Sequence, residues 1–69
     1  MKLKIDEKAG ALYLRLDDSE IVESEEITSG VVLDFNKEGQ IVGIELLGLS
    51  NRSKLINFKS LQFEIASVV

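Results

Sequence analysis

The stretch 30–47 constrains the fold more than any other part of the chain. Val31–Phe35 and residues 41–47 are mostly β-branched or apolar, and Asn36-Lys37-Glu38-Gly39 joins them. Asn at the first turn position bonds the backbone that follows it, and a glycine at the fourth takes the left-handed conformation of a bulged hairpin turn. That geometry predicts Asn36 opposite Gln40, Phe35 opposite Ile41, Leu33 opposite Gly43 and Val31 opposite Glu45. One face then carries Val31, Leu33, Phe35 and Ile41. The other carries Val32, Val42, Ile44 and Leu46, with Asp34. A sheet with one wet side needs only one apolar face. With both apolar, one face is expected to meet the protein's own core and the other a helix or a second subunit.

Upstream, residues 2–5 alternate polar and apolar, 6–10 read as a turn ending in Gly10, and 11–16 place Leu12, Leu14 and Leu16 opposite Tyr13 and Arg15. Period-two alternation marks half-buried strands, so this is a second hairpin. Residues 17–26 hold Asp17, Asp18, Glu20, Glu23, Glu25 and Glu26 with no positive charge. We read them as a solvated connector, with a charged edge strand as the alternative. Downstream, Ser50 or Asn51 is expected to cap a turn running toward Ile56, and Asn57 a short turn over 58–61. Residues 62–67 alternate again and read as a last strand. The expected fold class is a β-rich α+β domain over 1–69: two hairpins in one antiparallel sheet, four strands with a possible fifth, and a short C-terminal helix.

Composition removes many function classes. The 69 residues include no Cys, His, Trp or Pro, and net charge is −4. Disulfide frameworks, thiol redox chemistry, zinc fingers, Ser-His-Asp and Cys-His catalysis and imidazole acid–base chemistry are therefore outside its reach. A domain this short buries roughly 60% of its unfolded surface, and its core rarely supplies more than ~3–5 kcal/mol. Without cysteines or a strong metal motif, self-association is the expected remedy, and the two-apolar-face argument points the same way. The first ten residues lack an apolar signal core, and no apolar run nears the ~18 residues of a membrane span. A cytoplasmic location away from membranes is expected. Lys2, Lys4, Arg52, Lys54 and Lys59 form too thin a basic patch for nucleic acid.

Two constellations carry chemistry. Asp34, Asn36, Glu38, Gly39, Ile41 and Glu45 occupy positions 1, 3, 5, 6, 8 and 12 of the calcium-loop template. The flanks are strand-like rather than helical, and the predicted register sends Asp34 and Glu45 to opposite faces, so this is a hairpin turn first. Carboxylates are the other candidates: Glu45 and Asp34 lie among apolar neighbours, where burial lifts a pKa. The plainer expectation pairs Glu45 with Arg15 or Arg52 and leaves Asp34 near solvent. None of the serines has a base partner. No catalytic residue, metal or cofactor is assigned, and Asp34 and Glu45 stay the weak candidates for a ligand or metal.

Asp6-Glu7, then Ala11-Leu12-Tyr13-Leu14, Glu25-Glu26, Gly30-Val31-Val32-Leu33-Asp34, Gly39 and Gly43-Ile44-Glu45-Leu46-Leu47 resemble the small prokaryotic family of unknown function DUF2283. The resemblance covers about residues 2–50. The family pattern has an aromatic where Ile5 stands and an acidic residue where Gly10 stands, so any site built on those positions is incomplete in this chain. The resemblance implies a compact β-rich domain with no established activity, in some members an accessory or antitoxin-like subunit. The expected function is a non-enzymatic protein-interaction module acting as a homodimer, with Glu20, Glu23, Glu25 and Glu26 docking a basic protein partner. The alternative is a small-ligand or metal-binding protein using Asp34 and Glu45.

Overall fold

The computed structural model of the protein describes residues 1–67. Five strands, β1 (Lys2–Asp6), β2 (Ala11–Arg15), β3 (Glu23–Thr28), β4 (Val31–Phe35) and β5 (Ile41–Leu46), precede one short helix, α1 (Leu49–Arg52). The strands form a single antiparallel sheet in the order β1-β2-β5-β4-β3. The two expected hairpins, β1–β2 and β4–β5, are present and join along β2 and β5, with Leu12 opposite Leu46 and Leu14 opposite Ile44.

The fifth strand is β3 rather than residues 62–67. Glu23, Glu25 and Glu26, expected in a connector, pair with β4. An edge strand hydrogen-bonds on one side only, and every β3 side chain is exposed, so its glutamates keep their water while the backbone is paired. Residues 62–67 have the strand pattern, but among the described residues they pair with no strand.

The register of the central hairpin also departs from expectation. Phe35 opposes Ile41 and the Asn36 N–H donates to the Gln40 carbonyl at 3.0 Å, as predicted. Then a bulge intervenes: Asp34 opposes Gly43, which leaves Val42 as the extra residue of β5. Leu33 therefore faces Ile44, not Gly43, and Val31 faces Leu46, not Glu45. A one-residue shift moves every later side chain to the opposite face.

The consequence is one apolar face and one polar face, instead of two apolar ones. On the first, Leu3–Leu14–Ile44–Leu33 and Ile5–Leu12–Leu46–Val31 run as two rows across four strands. Across the second run Lys4–Tyr13–Glu45–Val32–Glu26 and Lys2–Arg15–Gly43–Asp34–Ser24. Asp34 and Glu45 thus share a face, contrary to expectation.

Packing between elements is chiefly that of neighbouring strands in the single sheet. Among the described residues, the buried apolar side chains are Val42 and Leu49. Helix α1 is shorter than expected. Gly48 is its N-cap, ahead of Ser50 and Asn51, and the Leu49 N–H donates to the Gly10 carbonyl at 2.9 Å, tying the helix to the β1–β2 turn. The expected turn at Asn57 is present: its side-chain oxygen accepts the Lys59 N–H at 3.0 Å.

Candidate functional site: the polar face around Asp34

The bulge places Asp34 beside Gly43 in the middle of the polar face, where only 8% of it stays exposed. Both carboxylate oxygens accept a hydroxyl hydrogen. Tyr13 of β2 donates to Oδ2 at 3.0 Å, and Ser24 of β3 donates to Oδ1 at 2.5 Å. The Tyr13 ring reaches Asp34 by crossing β5 over Gly43. A Cβ on Gly43 would stand 2.6 Å from the Tyr13 hydroxyl and 3.0 Å from Asp34 Oδ2, so the absence of a side chain opens the path. A glycine inside a strand often marks such a close approach. The cluster links β2, β4 and β3 over the top of β5.

Burial is the first cause that raises the Tyr13 pKa above its usual value, with the hydrogen bond to Asp34 and the Asp34 charge adding to it, while Arg15 opposes. The phenol therefore stays protonated and donating. Arg15, paired with Gly43, also binds the connector: its Nε donates to the Asp17 carbonyl at 2.9 Å and Nη2 to the Ser19 carbonyl at 2.7 Å. Asp17 in turn accepts the Ser19 N–H at 2.8 Å, and its carboxyl is held below the usual range by the bonds from Ser19.

Glu45 is half-buried opposite Tyr13, and neither Arg15 nor Arg52 pairs with it. The ion pair found among the described residues joins Lys59 and Glu7, exposed and 3.8 Å apart. Lys4, Asp6, Tyr13 and Glu45 line a shallow open depression of about 260 Å³, below the roughly 300–1,000 Å³ of small-molecule pockets. Among the described residues, no group of three or more carboxylates is placed to hold a metal ion.

The calcium-template residues are engaged in turn formation. Asn36, 6% exposed, accepts the N–H groups of Glu38 and Gln40 on Oδ1 at 3.1 and 3.0 Å, and donates to the Gln40 side chain at 3.1 Å. A metal at this loop would have to displace those donors, and those on Asp34. The acidic segment is divided by the pleat. Glu23 and Glu25, opposite Phe35 and Leu33, rim the apolar face, whereas Glu26 lies on the polar face and accepts the Gly30 N–H at 3.2 Å. Glu20 is exposed in the connector.

Sequence reasoning singled out Asp34 but missed its partners Tyr13 and Ser24. The available signal was Gly43, a glycine in the interior of a strand whose other residues carry large side chains.

No helix of the described residues is long and apolar enough to cross a membrane. Comparison with curated proteins returns no match, and neither does comparison with solved structures. Comparison with protein families matches residues 2–50 to the protein of unknown function DUF2283, a span that holds all five strands and the start of α1. The chain belongs to the DUF2283 family.

Proposed function

We propose that the protein is a non-enzymatic interaction module that works as a homodimer through the apolar face of its sheet. The observation that carries this reading is the pair of apolar rows, Leu3–Leu14–Ile44–Leu33 and Ile5–Leu12–Leu46–Val31, with no second sheet and only a four-residue helix among the described residues to cover them. The chain exposes 5813 Å². A compact protein of 7.7 kDa exposes about 4,300 Å² by the usual scaling. The difference of roughly 1,500 Å² per chain is shared between the sheet and the exposed segment 59–67, and two copies that covered both would bury an area in the range of obligate dimer interfaces. Asp34, with its two hydroxyl donors, acts as a fastener of the sheet, so that the polar face supports the apolar one.

Glu23 and Glu25 form an acidic margin beside that interface, with Glu26 on the polar face and Glu20 in the connector adding to the charge, suited to steer a basic partner protein. An accessory subunit with this surface in the cytoplasm is the working role. Analytical ultracentrifugation of the full chain at tens of micromolar tests the dimer: two copies are expected, and a mass of one copy overturns it. Leu3 sits at the sheet edge, 42% exposed, so Leu3→Asp costs the fold little and is expected to weaken the dimer. Gln at positions 23, 25 and 26 is expected to leave the dimer intact and to reduce affinity and salt dependence toward the basic partner. Binding unchanged by those three substitutions would remove the docking margin.

A further inference from the structure

We propose that residues 61–67 form an arm that adds to the β1 edge of a second copy of this chain as a sixth strand. The inference rests on the homodimer reading above and specifies how the two copies are held. Leu61, Phe63 and Ile65 alternate with Gln62, Glu64 and Ala66, and the three apolar side chains are 60%, 79% and 75% exposed. Alternation of this kind stabilises a segment only where a neighbouring strand gives it two distinct faces. Among the described residues the segment pairs with no such neighbour.

The molecule also extends beyond its sheet. Its radius of gyration is 13.7 Å, against about 11 Å for a compact domain of this length. Five strands at ~4.8 Å spacing and five or six residues long span roughly 20 Å in each direction, well short of the 38 × 37 Å extents. Lys59 lies 3.8 Å from Glu7 in an exposed ion pair, and residues 59–67 are exposed throughout.

Of the two sheet edges, β1 suits the arm and β3 does not. On β1, Leu3 and Ile5 belong to the apolar face, Lys2 and Lys4 to the polar one. An arm paired there continues the apolar rows with Leu61, Phe63 and Ile65 and brings Glu64 beside the two lysines. On β3 the same arm would set its apolar side chains next to Glu23 and Glu25 and Glu64 next to Glu26. The lysines discourage β1 from pairing with another β1, as charged edges do, yet they accept an acidic strand. Strand addition of this type gains affinity from main-chain bonds and selectivity from alternate side chains.

The test compares the full chain with one ending at Ser60. Sedimentation gives the dimer constant, and hydrogen exchange gives the protection of β1. The expected result is a dimer whose β1 and 61–67 amides are protected, with shortening weakening association at least tenfold and exposing β1. Phe63→Ala and Glu64→Lys in the full chain avoid dependence on the shortened protein; each is expected to weaken the dimer about tenfold. In a sample mixing isotope-labelled and unlabelled chains, nuclear Overhauser contacts from Phe63 to Leu3 or Ile5 are expected between copies. A full-length dimer unaffected by shortening or by Phe63→Ala overturns the arm and leaves the homodimer standing. Contacts from Phe63 only to β1 of its own chain also overturn the exchange. A monomeric full chain overturns both readings.

Discussion

Replacing Tyr13 by Phe removes one oxygen atom and isolates the value of the Asp34 cluster. The substitution keeps the ring over Gly43 and deletes the donor 3.0 Å from Asp34 Oδ2. Hydrogen bonds to charged groups contribute about 1.5–3 kcal/mol, and a buried acceptor left without its donor costs a similar amount. Asp34 is 8% exposed, but Tyr13 is half-buried, and Ser24 still donates to the other oxygen. The expected loss is therefore at the lower end, about 1.5 kcal/mol. For a domain of this size that corresponds to roughly 6–12 °C in Tm, and to a shift of about 1 M in the urea midpoint. Far-ultraviolet circular dichroism during urea unfolding measures it, with protein concentration held fixed because dimer stability depends on it. Asp34→Asn and the double variant close a thermodynamic cycle, and a coupling near 1 kcal/mol is expected between the two positions. If the Phe variant unfolds within about 0.3 kcal/mol of the parent, the reasoning that this cluster fastens the sheet is wrong.

Four further outcomes follow from the same geometry. Gly43→Ala is expected to expel Tyr13 from its seat, because the added Cβ would meet the hydroxyl at 2.6 Å; it should destabilise by at least as much as Tyr13→Phe, and by less in a Tyr13→Ala background, as read from urea midpoints of the four proteins. Tyr13 is the single tyrosine and the chain has no tryptophan, so tyrosinate absorbance reports it alone. With its pKa raised in the folded state, its contribution to stability is complete below the unfolded value near 10 and is lost as pH rises through the folded one. Asp34→Asn should bring the titration back toward 10, leaving the rise due to burial opposed by Arg15, and a folded-state midpoint at or below 10 in the parent would contradict the assignment. Asn36→Ala, which frees the Glu38 and Gln40 N–H groups, is expected to cost about 1–2 kcal/mol. Millimolar calcium should leave the amide resonances of residues 34–45 unmoved, and shifts confined to that loop would revive the metal-binding alternative.

The hairpins and their turns were legible because their signals are local. The polar–apolar period of 11–16, the Asn36 and Gly39 turn chemistry and the apolar run of β4 and β5 each act within a few residues of one another. The missing functional groups, namely thiol, imidazole and indole, are equally a property of the sequence, and they bound the chemistry whatever the fold. The family was legible for a similar reason, since the order of short blocks over residues 2–50 is itself a linear pattern.

Tertiary structure decided what depends on pairing. The bulge at Val42 reversed which side chains share a face, turning two expected apolar faces into one and bringing Asp34 and Glu45 to the same side. Period-two patterns fix alternation along one strand but leave its phase against the neighbour open, and a single extra residue changes that phase. β3 and residues 62–67 show the same limit from opposite sides. Glu23–Thr28 became a strand because β4 offered it an edge, while the better-patterned residues 62–67 pair with none among the described residues. The Asp34 cluster exists only because β2, β4 and β3 converge over Gly43, 21 residues separating Tyr13 from Asp34 and 10 separating Ser24 from it. A strand's side-chain pattern is written in its own residues; its partner, register and face are set by the free energy of the whole sheet.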